Sequence, residues 1–379
     1  MKKVLLIHNI INPTRTQFFN ELCNTLKKSW YSFKVLFNSK TESNRKWDMD
    51  EELKKQKFEY KILDSKQIHF KIWTDNYYFH INKWLSKLFD EEDPDIIIHA
   101  WWASFSAWKS LFWCKKNHKK FILWNESSKY EESRRRTLTK PFVRYLVKKS
   151  DWYLSFWTRA TEYLMMLWAS KDKICQMYNT VDIDFFVNEH ERLESKKEEL
   201  KEKYGIKTKY VLLYVGQLIK NKWIYEILEG FKSFQNNHKD WSLLFVWWWQ
   251  EKYNIEMIIK EYNINNVFLP WFFQKKQISE LYEISDVFTL PSKIEVWWLV
   301  INEAMCFWLP IITGYRVWAS EDLVKQWENW YIMKEYTWEE FEKSLDYILN
   351  NNLINNNSSL KIIEKFRVSC FIDNIKDLI

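Results

Sequence analysis

The sequence is poor in glycine: only 4 of its 379 residues are glycine, whereas 25 are tryptophan. Ordinary usage of about 7% would give roughly 27 glycines in a chain of this length. A large protein of strands and helices uses glycine at left-handed backbone positions, at close backbone approaches and at helix ends. Four glycines cannot fill those positions. Other residues must therefore occupy them. The run Trp247-Trp248-Trp249 follows an apolar segment. Three bulky rings in a row form a turn poorly, whereas three glycines at the same place would form a common type of turn.

Cysteines and long apolar runs are scarce as well. No segment approaches the roughly 20 apolar residues of a membrane span, and the apolar run in MKKVLLIHNI is too short for a signal peptide. The cysteines are odd in number and widely spaced, which argues against a disulfide framework and against a zinc site. This pattern predicts a cytoplasmic protein. The cysteines are Cys23, Cys114, Cys175, Cys306 and Cys370.

Apolar residues and basic residues are plentiful. Hydrophobic residues make up 47% of the chain, which is enough for a sizeable core and argues against global disorder. The net charge is +7, and the basic excess lies in clusters within the first half, such as Lys115–Lys116 and Arg134-Arg135-Arg136. A basic face binds nucleic acid, anionic lipid or phosphorylated substrates, or is simply solvated. Composition alone leaves these alternatives open.

Short apolar runs alternate with amphipathic stretches along the chain. In the first half the runs at residues 4–7, 33–37 and 121–123 are typical of buried strands, and the stretch 18–26 has helical periodicity. Strands that alternate with helices predict a parallel sheet covered on both faces. A charged stretch at 189–204 interrupts the pattern, which then restarts.

The restart predicts an α/β protein with two doubly wound, Rossmann-like domains. We expect them to comprise residues 1–185 and 186–379, with a hinge near residues 179–188. The last helix, at about residues 360–379, is expected to pack back on the first domain. Ligands of such folds bind beyond the carboxyl ends of the strands, here in the cleft between the two domains.

The segment 291–312 carries the strongest chemical signal. Glu295 follows a predicted strand, and Glu303 lies inside the helix that comes next. A helix N-terminus offers free N–H groups and a partial positive charge, so it is a natural seat for a diphosphate. Carboxylates beside such a seat accept hydrogen bonds from sugar hydroxyls. Two spaced glutamates alone are weak support, because most such pairs are solvated surface charges.

The same segment resembles the donor-site signature of family 4 glycosyltransferases. That pattern has Glu, any residue, an aromatic residue, Gly-Leu, then Glu-Ala-Met and Gly-Leu-Pro; here Trp298 and Trp308 stand at its two glycines. The stretch 215–223 resembles the family's phosphate-binding loop, although Gln217 replaces the usual arginine. The stretches 12–22, 94–98, 121–127 and 179–182 also fit, so the resemblance covers nearly the whole chain. It implies a retaining GT-B glycosyltransferase.

The departures from the family repeat one substitution, tryptophan for glycine. We infer that the gene uses UGA as a glycine codon and is translated here with UGA as tryptophan; the alternative is a decayed or divergent enzyme. We expect the fold to survive with the rings turned to the surface and the donor site to be obstructed. The substituted positions are Trp157, Trp168, Trp223, Trp271, Trp298, Trp308, Trp318, Trp327 and Trp330.

The resemblance implies a donor site in the second domain. Lys222 would hold the diphosphate through a charge-assisted contact, and Arg316 is a candidate for the charge that Gln217 lacks. Glu303 would accept from the ribose hydroxyls. Phe272 and Phe273 would flank the base, with core packing as the alternative. The implied donor-binding residues are Gly216, Gln217, Lys222, Phe272, Phe273, Trp298, Leu299, Val300 and Glu303.

The implied catalytic residues are Glu295, Glu303, Lys222 and Glu126. Glu295 would contact the transferred sugar. Glu126 stands where many family members carry His or Glu near the sugar, or it caps a loop.

Asn12, Arg15 and Thr16 lie on the first strand-to-helix loop, which in the family borders donor and acceptor. Turn and helix-cap chemistry is the alternative for these three residues.

These implications predict transfer of a hexose-type sugar from a UDP- or GDP-sugar to a glycan or lipid-linked acceptor of cell-surface polysaccharide or glycolipid. No metal or other cofactor is expected, since no Asp-x-Asp or His-rich ligand set stands out. The basic first half predicts peripheral contact with an anionic membrane at its inner face.

The rival hypotheses are a non-catalytic nucleotide-sugar-binding protein, an isomerase that cleaves nucleotide sugars and a basic nucleic-acid-binding protein. Aromatic residues hardly interleave with the basic ones, so no nucleic-acid partner is expected.

Overall fold

The structure is a computed structural model of the whole chain. The chain divides into two compact units, a first unit of Met1–Asn179 with Val368–Ile379 and a second unit of Thr180–Arg367. The structure describes all residues except 43–48, 73–74, 103, 132–133, 220–221, 247–250, 271–274, 293–298, 318, 324–327, 329 and 355.

The first unit is built on parallel strands connected by helices. Its strands are β1 (Lys2–Ile10), β2 (Tyr31–Ser39), β3 (Glu59–Ile62), β4 (Lys66–Ile72), β5 (Asp75–Ile81), β6 (Ile96–Ala100), β7 (Lys120–Asn125), β8 (Trp152–Phe156) and β9 (Ile174–Met177). Its helices up to the division are α1 (Pro13–Lys28), α2 (Met49–Lys54), α3 (Leu85–Glu92), α4 (Phe105–Lys116), α5 (Arg134–Lys149) and α6 (Thr158–Met166).

Seven of these strands form one parallel sheet in the order β3-β2-β1-β6-β7-β8-β9, and β4 pairs with β5 in a separate antiparallel ribbon. Every residue of β6, with the sequence IIIHA, is buried, as expected for a parallel strand covered on both faces. The chain winds outward in one direction from β1 and in the other from β6. The carboxyl ends of β1 and β6 therefore mark the switch point of this sheet.

The second unit repeats this architecture with a six-stranded parallel sheet. Its strands are β10 (Tyr210–Val215), β11 (Trp241–Val246), β12 (Val267–Phe268), β13 (Val287–Leu290), β14 (Ile311–Gly314) and β15 (Trp330–Met333), in the spatial order β12-β11-β10-β13-β14-β15. Its helices are α7 (Ile183–Leu193), α8 (Lys197–Lys203), α9 (Ile224–Phe234), α10 (Lys252–Glu261), α11 (Lys275–Glu283), α12 (Leu299–Cys306), α13 (Ala319–Leu323), α14 (Trp338–Asn350) and α15 (Ser358–Ile363).

The observed bounds of the units differ from the predicted domains at two places. The division falls between Asn179 and Thr180 rather than at 185/186, because α7 packs against α11 and α12 of the second unit. The predicted last helix is split: α15 belongs to the second unit, where Ser359 Oγ donates to the Leu309 carbonyl at 2.7 Å. Only the end of the chain, α16 (Val368–Phe371) and the following 3-10 turn, belongs to the first unit.

Several helices are followed by a residue in the left-handed conformation. This residue lies two positions after the last residue of the helix. Gly205 after α8 (φ 72°), Asn263 after α10 (φ 50°) and Asn352 after α14 (φ 52°) take this position. In each case the next amide bonds back to a carbonyl inside the helix, as from Ile206 to Lys201 at 2.9 Å. Glycine and asparagine are the residues that usually close a helix in this way.

Three tryptophans occupy the same position. They are Trp30 after α1 (φ 63°), Trp168 after α6 (φ 76°) and Trp308 after α12 (φ 62°). After Trp168 and Trp308 the closing hydrogen bond is also the same, since the amide of Ala169 donates to Leu164 at 3.0 Å and that of Leu309 to Ala304 at 3.2 Å. A left-handed conformation costs an L-residue roughly 1–2 kcal/mol. The backbone at these helix ends is therefore that of a glycine position.

Three more tryptophans have positive φ: Trp101 (73°), Trp157 (75°) and Trp223 (65°). Trp157, with ψ 159°, lies in a region that is essentially restricted to glycine. The remaining non-glycine residues with positive φ in the described part of the chain are Asp, Asn or His, which tolerate this region best.

The expectation that the substituted rings turn to the surface is correct for Trp168, which is exposed, and wrong for Trp157 and Trp223, which are buried.

No helix among the described residues combines the length and the apolar character that crossing a membrane requires.

Candidate functional site

The carboxyl ends of β10 and β13 form the switch point of the second unit. The two strands are neighbours in the sheet although β11 and β12 lie between them in the chain. Leu213 pairs with Phe288, and each strand ends two residues later, at Val215 and Leu290. The loops that follow these strands therefore start side by side. This is where doubly wound sheets bind their ligands.

The loop after β10 begins at Gly216, where the backbone passes close to a side chain. The Gly216 amide donates to the Val246 carbonyl at 3.0 Å, and a Cβ on Gly216 would lie 3.0 Å from the Tyr214 hydroxyl. That hydroxyl donates to the Gln217 carbonyl at 3.2 Å. The side chain of Tyr214 thus fixes the start of the loop, and Gln217 is exposed on it.

Lys222 lies at the other end of this loop, two residues before the start of α9. Its side chain is partly buried, and loss of solvent lowers its pKa from 10.5 to about 8. The ammonium group is still mostly protonated at neutral pH. A desolvated cation beside a helix start gains more from an anionic ligand than a solvated lysine would. Lys222 thus lies on the loop that follows β10 at the switch point, and its contact with a phosphate stays a prediction.

Trp223 is the residue that precedes α9, and its ring is fully buried. It packs edge-on against Tyr336, with 5.6 Å between the ring centroids. Its Nε1 is buried without a hydrogen-bond partner among the described residues, and such an orphaned donor costs about 1–3 kcal/mol. Trp308 has the same defect. Glycine at either position would relieve the backbone and remove the orphaned N–H.

The loop after β13 is described only at its two ends. Pro291 and Ser292 are buried at its start, and Leu299 and Val300 are partly buried at the first positions of α12. Four of the predicted site residues lie outside the described residues: Phe272, Phe273, Glu295 and Trp298.

Glu303 lies one turn into α12 and is held by a residue of α11. The hydroxyl of Tyr282 donates to Glu303 Oε2 at 2.8 Å. Burial raises the pKa of the Glu303 carboxyl, while this hydrogen bond and the charge of Lys275 oppose the shift. Among the described residues no second hydrogen bond to this carboxylate is made. A carboxylate accepts up to about four hydrogen bonds, so the bond from Tyr282 does not exhaust the capacity of Glu303.

Tyr336 connects three loops at the same edge of the sheet. Its hydroxyl donates to the Ser292 carbonyl after β13 at 3.0 Å and accepts from the Arg316 amide after β14 at 3.1 Å. Its ring also contacts Trp223. Arg316 itself is exposed, and its Nε donates to Tyr315 at 2.9 Å. Tyr336 thus positions the loops around the switch point.

In the first unit, the loop between β1 and α1 is organised by helix-cap chemistry. Asn12 precedes α1, and its Oδ1 accepts from the Thr14 amide at 3.0 Å. Arg15 and Thr16, predicted to border the acceptor, are both buried. Asn12 therefore caps the helix, which is the alternative considered for it, and Arg15 is directed into the protein.

Arg15 forms a buried ion pair with Glu126, which directly follows β7. Its guanidinium group also donates to Asn179 Oδ1 and lies 5.2 Å from the centre of the Trp124 ring and 4.8 Å from that of Phe156. Trp124 Nε1 donates to Glu126 Oε1 at 2.6 Å. Burial raises the pKa of Glu126, and both donors oppose that shift. Glu126 is thus fixed in orientation at a strand end.

His8 of β1 borders this cluster as an uncharged ring. Burial and the positive charge of Arg15 lower its pKa to about 4. Its Nδ1 lies 3.0 Å from the Ile10 carbonyl, so the Nδ1–H tautomer donates to it. The ring packs edge-on against Trp124 at 5.9 Å between centroids. Because the imidazole is uncharged, Arg15 is the cation that pairs with Glu126.

Several of these contacts were missed from the sequence. Tyr282, on the buried face of α11, reads as ordinary core, and Tyr336 follows no motif. Asn179 and Trp124 do lie within stretches that fit the family pattern, 179–182 and 121–127, so the pattern was a signal for them.

Most of the second unit matches a model of a known protein family. Residues 196–367 match the model described as glycosyl transferases group 1, and the match lies inside the second unit. An uncharacterized glycosyltransferase of Haemophilus influenzae is 31% identical over 142 residues, which are 37% of this chain and 39% of that protein. The chain thus aligns with about two fifths of the length of this relative.

Solved structures match the chain over its full length. A glycosyltransferase from Rickettsia africae superposes with a TM-score of 0.74 at 15% identity, over 100% of this chain and 98% of that one. HepE of Anabaena, in a structure with UDP and glucose, gives a TM-score of 0.72 at 12% identity, over 100% and 99% of the two chains. The predicted fold class is confirmed: the chain has the two-domain, Rossmann-like GT-B fold.

Proposed function

We propose that this protein transfers a sugar from a nucleotide-sugar donor to an acceptor hydroxyl. One observation carries the proposal. A desolvated cation, Lys222, lies on the loop after β10, and an oriented carboxylate, Glu303, lies on the helix after the neighbouring strand β13. A cation suits a diphosphate, and a carboxylate suits ribose hydroxyls. The match of residues 196–367 to a glycosyltransferase model supports the same chemistry.

The donor proposed is a UDP- or GDP-linked hexose. Lys222 contacts its diphosphate together with the backbone N–H groups of Trp298 and Leu299. Glu303 accepts from the ribose, and Glu295 contacts the sugar. Phe272 and Phe273 flank the base. UDP in the HepE structure is consistent with a nucleotide at this type of fold.

The reaction proposed retains the anomeric configuration. Positive charge builds on the sugar ring as the diphosphate leaves, and Lys222 and the helix terminus stabilise the leaving group. The acceptor hydroxyl attacks from the same face, and the leaving phosphate takes its proton. In the first unit, Arg15 holds Glu126 in place and does not itself contact the acceptor. The acceptor proposed is a glycan or a lipid-linked sugar.

We further propose that the functional protein carries glycine at the tryptophans with positive φ. This deepens the UGA hypothesis, because the backbone at Trp157, Trp168, Trp223 and Trp308 favours glycine independently of any family pattern. It also adds Trp30 and Trp101, which no family motif identified. The codons test it directly: UGA at these positions supports the proposal, and UGG at Trp223 and Trp308 contradicts it.

Calorimetric titration with UDP, GDP and ADP tests the donor site without requiring an acceptor. We expect one nucleotide to bind the chain with glycine at Trp223, Trp298 and Trp308, and Lys222→Ala to weaken it about 10- to 100-fold, the worth of a charged hydrogen bond. Lys276→Ala, on α11, is the matched control. Binding of no nucleotide would contradict the proposal.

Product analysis with nucleotide sugars separates the rival functions. Binding with no transfer to any acceptor would favour a nucleotide-sugar-binding protein, and release of a free sugar epimer would favour an isomerase.

A further inference from the structure

Helices α4 and α5 of the first unit concentrate positive charge. The sequence of α5, RRRTLTKPFVRYLVKK, has seven basic and no acidic residues. The sequence of α4, FSAWKSLFWCKK, has three basic and no acidic residues. Most surface helices alternate charges of both signs, and these two do not. Lys115 pairs with Asp151 and Arg136 pairs with Glu131, both acidic residues outside the two helices, and the remaining basic residues leave this side with a net positive charge.

The exposed side of α5 also carries large apolar side chains. Leu138 is 77% exposed and Phe142 is 66% exposed, and Tyr145 is exposed one turn further. Their spacing of four and three residues puts them on one face of the helix. The next turn of the helix brings Leu146 and Val147 into the core, where both are fully buried. The exposed residues are thus not part of the core of this unit.

The apolar face continues from α5 onto α4. Trp108 stacks on Tyr145 with 6.1 Å between ring centroids and 14° between ring planes. The ring of Phe112, which is 55% exposed, also packs against Trp108, with 6.0 Å between the ring centroids. Phe112 and Tyr145 are therefore bridged by one partly buried ring, and the apolar side chains of the two helices form a continuous surface.

Lysines border this surface. Lys148 and Lys149 are exposed at the end of α5, and the Lys149 ammonium lies 5.9 Å from the centre of the Tyr145 ring. Lys116 is exposed one turn past Phe112. Long lysine side chains can lay their methylene stems along apolar surface while the charge reaches outward. Apolar and cationic groups thus face solvent together.

We propose that this basic apolar surface, made of Phe112, Lys116, Leu138, Phe142, Tyr145, Lys148 and Lys149, docks on a membrane of anionic lipid. The apolar side chains enter the boundary between headgroups and acyl chains, and the ammonium groups contact the anionic headgroups. A nucleic acid would reward the charge but not Leu138 and Phe142. The surface does not include Trp168, one of the tryptophans at which glycine is proposed. The proposal also does not depend on the proposed glycosyl transfer.

Sedimentation of the full chain with vesicles tests this proposal without any substrate. We expect binding to mixed phosphatidylglycerol and phosphatidylcholine vesicles at low salt, loss of binding as salt rises, and little binding to phosphatidylcholine alone. Leu138→Ser with Phe142→Ser should lower the partition coefficient about tenfold or more. Lys148→Gln with Lys149→Gln should lower it by a similar factor. All four positions are exposed, so these variants should keep the fold.

The matched control is Tyr253→Ser, which removes an exposed aromatic ring from α10 of the second unit and should leave the partition coefficient unchanged. Absence of binding to anionic vesicles, or binding that neither double variant weakens, would overturn the proposal. So would tight, salt-dependent binding of single-stranded RNA that the lysine pair abolishes while vesicle binding persists, because the surface would then belong to nucleic acid.

Discussion

The hydroxyl of Tyr282 lies 2.8 Å from Oε2 of Glu303 and orients the carboxylate that is expected to meet the donor. Tyr282 is fully buried on α11, and burial together with the nearby charge of Glu303 raises its pKa well above its usual range. The hydroxyl therefore stays protonated and acts as a donor at all physiological pH values. Glu303 receives a fixed orientation from this buried residue of α11.

Tyr282→Phe is expected to weaken donor use without abolishing catalysis. The lost hydrogen bond is worth about 1 kcal/mol, so kcat/KM should fall about five- to tenfold, mainly through a higher donor KM. Steady-state kinetics with the donor varied measures the effect. Tyr204→Phe is the matched control, since it removes a 2.6 Å hydrogen bond to Glu280 elsewhere in the same unit. Equal effects of the two substitutions would show that Tyr282 has no special role.

Lys222 predicts a specific pH dependence of donor binding. Its amine has a pKa of about 8 in the protein, and only the protonated form attracts a diphosphate. Donor affinity should therefore be retained below pH 8 and fall as the pH rises through that value. Arginine stays charged at every accessible pH, so Lys222→Arg should remove the decline even if it binds more weakly. A decline that persists in Lys222→Arg would assign the titration to another group.

The buried pair of Arg15 and Glu126 predicts strong coupling in stability. Arg15→Met leaves a buried carboxylate without its cation and should lower the free energy of unfolding by about 3–5 kcal/mol. Glu126→Gln should also destabilise, because it strands the guanidinium group. The double variant should lose much less than the sum of the two, as measured by urea unfolding. Additive losses would mean that the two side chains do not interact energetically.

Trp30 offers a direct test of the glycine positions. Its ring is 81% exposed, so its removal costs little burial, and its φ of 63° is unfavourable for any residue with a Cβ. Trp30→Gly should exceed Trp30→Ala in stability by about 1 kcal/mol, because both delete the ring and only glycine relieves the backbone. Thermal unfolding compares the two variants. Equal stability would mean that Trp30 is not held in a left-handed conformation.

The fold could be predicted because its signals are local. The apolar run at 96–98 is continuous rather than alternating, and it becomes part of β6, which is buried along its whole length. The bounds of the units could not be predicted as well. The membership of α7 and α15 depends on which helices they pack against, and no local pattern records that choice.

The site could be predicted only where the family pattern names residues. Lys222 and Glu303 lie on the elements expected for them, although their role as a donor site stays a prediction. Arg15 was predicted to face the acceptor, and it is buried because Glu126, Trp124 and Asn179 arrive from distant parts of the chain to enclose it. Tyr282 could not be found because its partner lies 21 residues away on another helix.

Nucleotide release from a panel of UDP-, GDP- and ADP-sugars tests the central claim most directly. The measurement uses the chain with glycine restored at the tryptophans with positive φ and at Trp298, with candidate glycan and lipid-linked acceptors present. We expect release from one donor, and loss of that release in Glu303→Ala. Release that Glu303→Ala leaves unchanged, or no release from any donor despite a correctly folded chain, would contradict the account.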